Sequence, residues 1–312
     1  MTAKPVTSPT ASTRAATASE LAQSGPGPSS GPDEPTRRRP PWPGRTRLRL
    51  WGTDLAAFLV VLFVWWALTG SKMIQPLFLP SPQSVVRAFM EANSCRPIAA
   101  GNPRVVCGEQ GYFLWEHLLA SLQRIGIGVL AGIAVGVLLG FAMALVPVLD
   151  RLVEPYLSFL RSLPPLGYIG LLIVWFGIGD TSKIWLLFLA AFPPIALATI
   201  DGVKGIRSDR VHAAQSLGAS RMQVLRFVIL PASLPSIMSG VRLATGFAWT
   251  TVVAAELNNG IPGIGGLAYL SGTQLQTPLT IACIIVIGIA AILLDALIKR
   301  ITSLLVPWQG RA

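Results

Sequence analysis

Charged side chains are scarce in this sequence, and their scarcity argues against an ordinary soluble domain. Only 12% of the 312 residues are Asp, Glu, Lys or Arg, whereas 52% are hydrophobic. A soluble domain carries about 25% charged residues. Apolar runs of about 20 residues recur along the chain, enough to cross a hydrocarbon core about 30 Å thick. The sequence therefore predicts an all-α membrane protein that crosses the bilayer several times.

Motifs for nucleotide binding and metal chemistry are also missing. The chain has no G-x-x-x-x-G-K-[S/T] phosphate loop and no H-E-x-x-H motif. Its two histidines, His117 and His212, stand far apart, on opposite sides of the predicted membrane. We therefore expect no catalytic residues, no metal site and no cofactor held by the chain itself. An intramembrane enzyme is disfavoured for the same reason.

Cysteines are few, and only two share a hydrophilic segment. Cys283 lies inside an apolar run and is typical of a small core residue. Cys95 and Cys107 lie in the loop between the first two predicted spans. If that loop is extracytoplasmic, a disulfide is chemically allowed and would stabilise the loop by about 3 kcal/mol. Two free thiols are the alternative.

Six predicted spans follow a polar N-terminal tail. Residues 1–50 are rich in Pro, Ser, Thr, Ala and Gly, and we predict a disordered basic tail there. Residues 51–309 form the predicted six-helix transmembrane domain. Its spans are expected at about Asp54–Thr69, Leu114–Val146, Leu152–Ile178, Lys183–Ile200, Leu234–Ala255 and Leu279–Leu305.

The distribution of Lys and Arg predicts the orientation of these spans. An arginine cluster, "RRRPPWPGRTRLR", precedes the first span, and five basic residues follow the fourth. The loop after the fifth span, Glu256–Pro278, has neither Lys nor Arg. Because cytoplasmic loops carry the excess of basic residues, both termini are expected in the cytoplasm.

Four glycines form a regular stripe on the second span. Gly128, Gly132, Gly136 and Gly140 are four residues apart, so they share one face of a helix. Such a stripe lets another helix approach closely. We interpret it as a packing face within the chain; a sliding surface for a conformational change is the alternative.

A half-polar stretch, "HAAQSLGASRMQVLRFVILPASLP", interrupts the apolar pattern after the fourth span. It predicts two short helices, about Ser208–Leu217 and Arg221–Ile229, joined at a left-handed Gly218. Ser220 is the expected N-cap of the second helix, and Pro231 its expected end. A face of small residues suits insertion into a cleft on another protein, and we interpret the stretch as a docking element.

This stretch resembles the cytoplasmic-loop signature of permease subunits of ATP-binding-cassette (ABC) importers. The signature reads Glu-Ala-Ala, three residues, Gly, nine residues, Ile, one residue and Leu-Pro. His212 replaces the family's Glu, and Val228 replaces Ile. The resemblance implicates seven positions in docking to an ATPase: His212, Ala213, Ala214, Gly218, Val228, Leu230 and Pro231.

The resemblance extends over residues 55–309. "FLPSP", "RSLPPLGYIGLLIVWFGIGDTSKI" and "GFAWTTVVAAEL" are similar to the nitrate, sulfonate and taurine branch of these permeases. "AAQSLGAS", "FVILP" and the C-terminal "PWQG" resemble taurine permeases in particular.

The resemblance implies the type I importer permease fold, with a coupling loop at about residues 201–232. It implies a subunit of the bacterial inner membrane that works as a pair, expected to be a homodimer, with ATP bound by partner ATPase subunits. A separate extracytoplasmic protein would deliver the substrate, taurine or another alkanesulfonate. A permease for nitrate or another small anion is the alternative, and a self-sufficient secondary carrier is the alternative of a different class.

Candidate residues of the translocation path are polar groups within the predicted spans. Arg124 and Arg242 qualify because a charge inside a span is a functional hypothesis by default. Arg242 could instead pair with lipid headgroups, and Trp249 could instead pack in the core. Glu256 could instead pair with an arginine in a gating contact. Thr250 is the remaining candidate. The pairs Pro164–Pro165 and Pro193–Pro194 are expected to kink the third and fourth spans.

Overall fold

A computed structural model describes the backbone of residues 45–71, 74–97 and 105–308, and side chains from residue 56 onward. The chain divides into two units, residues 1–56 and 57–312, and most of the predicted tail lies outside the described residues. The helices are α1 Arg45–Gly70, α2 Pro82–Glu91, α3 Leu114–Leu145, α4 Pro147–Ser162, α5 Ile169–Phe176, α6 Asp180–Lys204, α7 Ser208–Ser216, α8 Arg221–Val224, α9 Leu230–Glu256, α10 Ile264–Thr273 and α11 Thr277–Leu305. A 3₁₀ turn at Pro165–Gly167, a π-helical turn at Leu225–Ile229, and the strands β1 Cys95–Pro97 and β2 Val105–Cys107 complete the list.

Long apolar helices dominate the described chain, as the composition predicts. Four helical stretches are long and apolar enough to cross a membrane: α3, α6, α11 and the continuous stretch Arg221–Glu256. The first predicted span corresponds to α1, whose stretch Ala56–Gly70 is apolar but shorter. The all-α class is confirmed, whereas the boundaries of individual spans differ from prediction.

The third predicted span, Leu152–Ile178, is not one helix. Helix α4 ends at Ser162, the 3₁₀ turn follows, and α5 starts only at Ile169. Proline supplies no backbone N–H and disfavours a helical conformation in the residue before it, so the pair Pro164–Pro165 breaks the helix. At Pro193–Pro194, by contrast, α6 continues through both prolines.

The glycine stripe of α3 packs against α6. A methyl group added at Gly128, Gly132, Gly136 or Gly140 would lie within 3.0 Å of α6 atoms at each position. The nearest α6 side chains step by four in the same direction, from Leu187 to Thr199, so the two helices run parallel. Helix α9 runs antiparallel to α3 and α6 and completes the core, for example through the contact of Gly240 with Ala198. The packing interpretation of the stripe is confirmed.

A small hairpin lies between α2 and α3. Ser81 caps α2 by accepting a hydrogen bond from the backbone N–H of Ser84. Strands β1 and β2 pair antiparallel, with Cys95 opposite Cys107, and a disulfide joins these two residues. Cys283 is buried and free, as expected of a core residue.

Candidate functional site

The docking segment, residues 208–231, consists of two short helices joined by a tight turn. Helix α7 ends at Ser216, and Gly218 adopts a left-handed conformation with φ of +84°. The N–H of Ala219 then donates to the carbonyl of Ala214 at 3.1 Å, which closes the helix end. Ser220 accepts a bond from the N–H of Gln223, whose side-chain carbonyl accepts from the N–H of Ser220 at 2.7 Å. Both local predictions, the left-handed glycine and the serine cap, are confirmed.

Pro231 does not end the second helix of the docking segment, contrary to the sequence expectation. The chain is helical without interruption from Arg221 to Glu256. A π-helical turn precedes the proline, and the N–H of Leu230 donates to the carbonyl of Leu225, five residues back. The wider turn changes the backbone hydrogen bonds from the usual four-residue to a five-residue spacing next to Pro231, which has no N–H to donate. Helix α8 therefore continues through the π-helical turn into the long α9 as one helical stretch.

The docking segment presents apolar side chains outward. Leu217 is 89% exposed, and Met222 and Phe227 are also exposed. A cleft of about 360 Å³ between the two helices is lined by Ala214, Gly218 and other residues of the segment. Of the predicted docking positions, His212, Ala213, Gly218 and Leu230 are exposed, and Ala214, Val228 and Pro231 are half-buried. Exposed apolar patches of this kind mark protein–protein contacts.

Leu217, Met222 and Phe227 are absent from the sequence-based prediction of the docking surface. The family signature fixes small residues and says nothing of the bulky ones beside them. Their signal is nevertheless present in the sequence. Large apolar residues in a half-polar stretch between two apolar runs have no core to enter, and they stay exposed.

A polar cluster lies at the opposite end of the bundle; it consists of the exposed Asp180 and of five buried residues, His117, Ser121, Arg124, Lys183 and Glu256. Arg124 is 4% exposed and its guanidinium donates to Glu256 at 2.6 Å, to Asp180 at 2.8 Å and to the carbonyl of Pro262 at 2.7 Å. Glu256 is 1% exposed and also accepts from the hydroxyl of Ser121 and the N–H of Gly265. The cluster thereby ties α3, α6 and α9 to the loop before α10.

Lys183 and His117 extend the polar cluster and were not predicted as functional. The ammonium group of Lys183 donates to the carbonyl of Asn259 at 2.7 Å. The ring of His117 lies within hydrogen-bond distance of the backbone of Glu109 and of Gly263. Each contact joins a helix to a loop, and the two partners are at least eight positions apart in the chain. Sequence spacing alone therefore gives no signal for them.

The other path candidates occupy separate places. Arg242 pairs with Asp295 of α11 through two hydrogen bonds, of 2.6 and 3.3 Å, and Lys299 contacts the same carboxylate at 2.8 Å. Trp249 is buried in the core, and its indole N–H has no partner among the described residues. Thr250 is exposed and lines a cleft between α4, α6 and α9. The structure thus joins Arg124 to Glu256 and separates both from Arg242 and Thr250.

Long apolar helices, with an exposed apolar helical segment between two of them, are typical of a membrane protein that works together with a partner protein. The sequence profile of one family, "Binding-protein-dependent transport system inner membrane component", matches residues 132–311. The chain belongs to this family. It is therefore an ABC importer permease, a multi-pass membrane protein whose family implies an ATPase and a substrate-binding protein as partners.

Individual relatives agree with this family. The chain is 40% identical over 272 residues to the taurine transport system permease protein TauC of Escherichia coli, covering 86% of this chain and 93% of that protein. It is 36% identical over 206 residues to the nitrate import permease protein NrtB of Leptolyngbya laminosa, covering 64% and 71% of the two chains. In fold, it is similar to a chain of the inward-facing MetNI methionine ABC transporter, with a TM-score of 0.54 and 21% identity, covering 64% of this chain and 99% of that chain. The predicted importer permease fold is confirmed.

Proposed function

We propose that the chain is the permease subunit of an ATP-driven importer of taurine or another alkanesulfonate. The observation that carries this proposal is the similarity to a taurine permease, which extends over most of both chains. Similarity to a nitrate permease, over a shorter stretch, keeps a small inorganic anion as the second candidate.

Two copies of the chain form the proposed membrane body, in the cell membrane of a bacterium with both termini in the cytoplasm. Partner ATPase subunits bind and hydrolyse ATP, and the docking segment of each copy inserts into one of them. The exposed Leu217 and Phe227 supply the apolar contacts of this interface. Because α8 continues into α9 as one helical stretch, closure of the ATPase pair would move α9 together with the docking segment.

Uptake by the purified, complete transporter tests the substrate proposal. Proteoliposomes that hold the permease, its ATPase and its binding protein receive radiolabelled taurine, with or without ATP. We expect uptake that requires ATP, persists when ion gradients are collapsed, and is not displaced by excess nitrate. Nitrate uptake without taurine uptake would replace the first candidate by the second, and uptake driven by an ion gradient in the absence of ATP would refute both.

A substitution at Gly218 tests the docking segment separately. Gly218→Val places a β-branched residue at φ of +84°, a conformation that only glycine and, to a lesser degree, asparagine adopt readily. We expect taurine uptake to fall at least tenfold while the amount of permease in the membrane is unchanged. Gly218→Asn is the matched control and should keep most of the activity. Equal uptake by both variants would contradict the docking role of this turn.

A further inference from the structure

Two clefts that share lining residues follow one another along α9 and together form a groove over most of the length of this helix. The first, of about 420 Å³, lies near Pro235, and the second, of about 220 Å³, reaches Thr251. Arg161 and Pro194 line both clefts. Sixteen residues of helix separate Pro235 from Thr251, a rise of about 24 Å, against a hydrocarbon core of about 30 Å. The groove thus has most of the length that a path across the hydrocarbon core needs.

The outward face of α9 beside this groove differs from a lipid-facing surface. Along α11, the exposed residues are aliphatic, among them Ile284, Ile292 and Leu293. Along α9, the exposed face is mixed: Ser239, Gly246 and Thr250 lie among the exposed apolar residues Leu243 and Phe247. Polar and small residues at this depth are typical of a helix that faces another protein surface or water. A second permease copy, as proposed above, would cover this face.

The groove also carries backbone acceptors. An α-helical N–H at residues 193 and 194 would donate to the carbonyls of Leu189 and Ala190, but both positions are proline. Leu189 and Ala190 line the 220 Å³ cleft. A carbonyl that faced lipid without a donor would cost several kcal/mol. Two residues whose carbonyls lack the usual α-helical donor are therefore among those that line this cleft.

Arg161 is the cation of this groove. It lies at the end of α4, next to the break at Pro164–Pro165, and forms no ion pair with any described residue, whereas Arg124 and Arg242 each have carboxylate partners. Asp201 is the other charged residue that lines the groove, in the first cleft only. In the second cleft, Arg161 is accompanied by Thr250 and by Tyr168.

We propose that Arg161 binds the anionic group of the substrate as it passes along α9, with the 220 Å³ cleft as the binding position. The guanidinium can form two parallel hydrogen bonds with a sulfonate, as it does with carboxylates and phosphates. The cleft is smaller than the roughly 300–1,000 Å³ of common ligand pockets, which favours a small anion. The negative charge of Asp201, at the cytoplasmic end of α6, disfavours a second binding position for an anion and so promotes release of the anion. This inference rests on the proposed import of an anion.

Uptake by charge-altered variants of the complete transporter tests this assignment. Arg161→Gln should lower ATP-driven taurine uptake at least tenfold, while ATP hydrolysis stimulated by the loaded binding protein stays within twofold of wild type. Arg161→Lys should retain about a third of the uptake. Arg151→Gln, at an exposed arginine of the same helix, is the matched control and should leave both activities unchanged. Uptake by Arg161→Gln within twofold of wild type would overturn the assignment.

Chemical rescue separates a lost charge from a damaged fold. We expect Arg161→Cys to be inactive until an aminoethyl thiosulfonate reagent attaches a positive charge, which should raise uptake at least fivefold. The sulfonatoethyl reagent, which attaches a negative charge, should not. Inactivity that the positive reagent does not reverse refutes the role of Arg161. If the wild-type transporter imports nitrate rather than taurine, the substrate proposal fails, and the same variants measured with nitrate decide on Arg161.

Discussion

Arg124 and Glu256 show, at the scale of single residues, what a buried charge requires. Their side chains are almost inaccessible to solvent, yet every charged atom of Glu256 has a partner, from Arg124, Ser121 and the backbone of Gly265. Desolvation can cancel most of the attraction within such a pair. The loss of one partner is a different matter, because the remaining charge is then buried without compensation.

Arg124→Gln is therefore expected to lower the free energy of unfolding by about 3–5 kcal/mol. Denaturation in detergent, followed by circular dichroism, measures the change. The double variant Arg124→Gln with Glu256→Gln should recover part of the loss, because it leaves no unpaired carboxylate. A single variant as stable as wild type would show that the pair is solvated in the membrane.

The sequence identifies these residues individually but not as a cluster. Arg124 and Glu256 stand out because charges are rare in apolar runs, and pairing with an arginine was one of the interpretations offered for Glu256. Their contact joins positions 132 residues apart. Asp180 and Lys183, at the start of α6, look like ordinary residues of a helix end. Only the packing of three helices brings all four charges together.

At the scale of secondary-structure elements, the most extensive contact is the one between α3 and α6. The four stripe glycines of α3 bring the two backbones together, and at Gly136 an added methyl carbon would lie 2.9 Å from the carbonyl oxygen of Phe192. Backbone atoms cannot move aside as the end of a side chain can. In lipid, helix association depends on this kind of close packing.

Gly136→Ala should reduce the free energy of unfolding by about 1–3 kcal/mol, the usual cost of overpacking. Gly126→Ala is the matched control in the same helix, because a methyl carbon there has no neighbour within 4 Å. Thermal denaturation of both variants in one detergent makes the comparison. If the two variants are equally stable, the helices can separate without loss, and the glycine stripe is a sliding surface after all.

Helix ends and packing faces are predicted correctly where the neighbouring residues in the sequence determine them. Predictions fail where packing against distant parts of the chain determines whether a helix continues. The turn at Gly218, the cap at Ser220 and the glycine packing face follow from residue types at fixed spacings. Residue types alone do not explain why the third span breaks at Pro164–Pro165 whereas α6 continues through Pro193–Pro194. The same dipeptide ends one helix and is tolerated in the other, which is buried against α3 and α9 along its length.

At the scale of the whole molecule, the docking segment and the polar cluster lie at opposite ends of the bundle. Helix α6 connects the two regions, since it starts at Asp180 of the polar cluster and ends at Lys204, shortly before the docking segment. Its 25 residues span about 36 Å, slightly more than the hydrocarbon core. The two regions should therefore lie on opposite sides of the membrane.

Labelling of introduced cysteines tests this orientation. In cells that make the permease without its ATPase, a membrane-impermeant maleimide should react with Leu217→Cys only in inside-out vesicles and with Met90→Cys only when the cells are intact. Both side chains are exposed, while the native free thiol, Cys283, is buried. The wild-type chain should stay unlabelled in both preparations. The opposite pattern of labelling would place both termini outside.

The π-helical turn at Leu225–Ile229 has a geometric consequence for the whole machine. Such a turn holds one residue more than the α-helical path, and each residue of an α-helix advances the azimuth by about 100°. Deleting one residue there would restore an ordinary helix, but it would also swing α7 and α8 around the axis of α9. The extra residue thus sets the angle about the axis of α9 at which α7 and α8 project, and with it the side from which a partner protein can reach them.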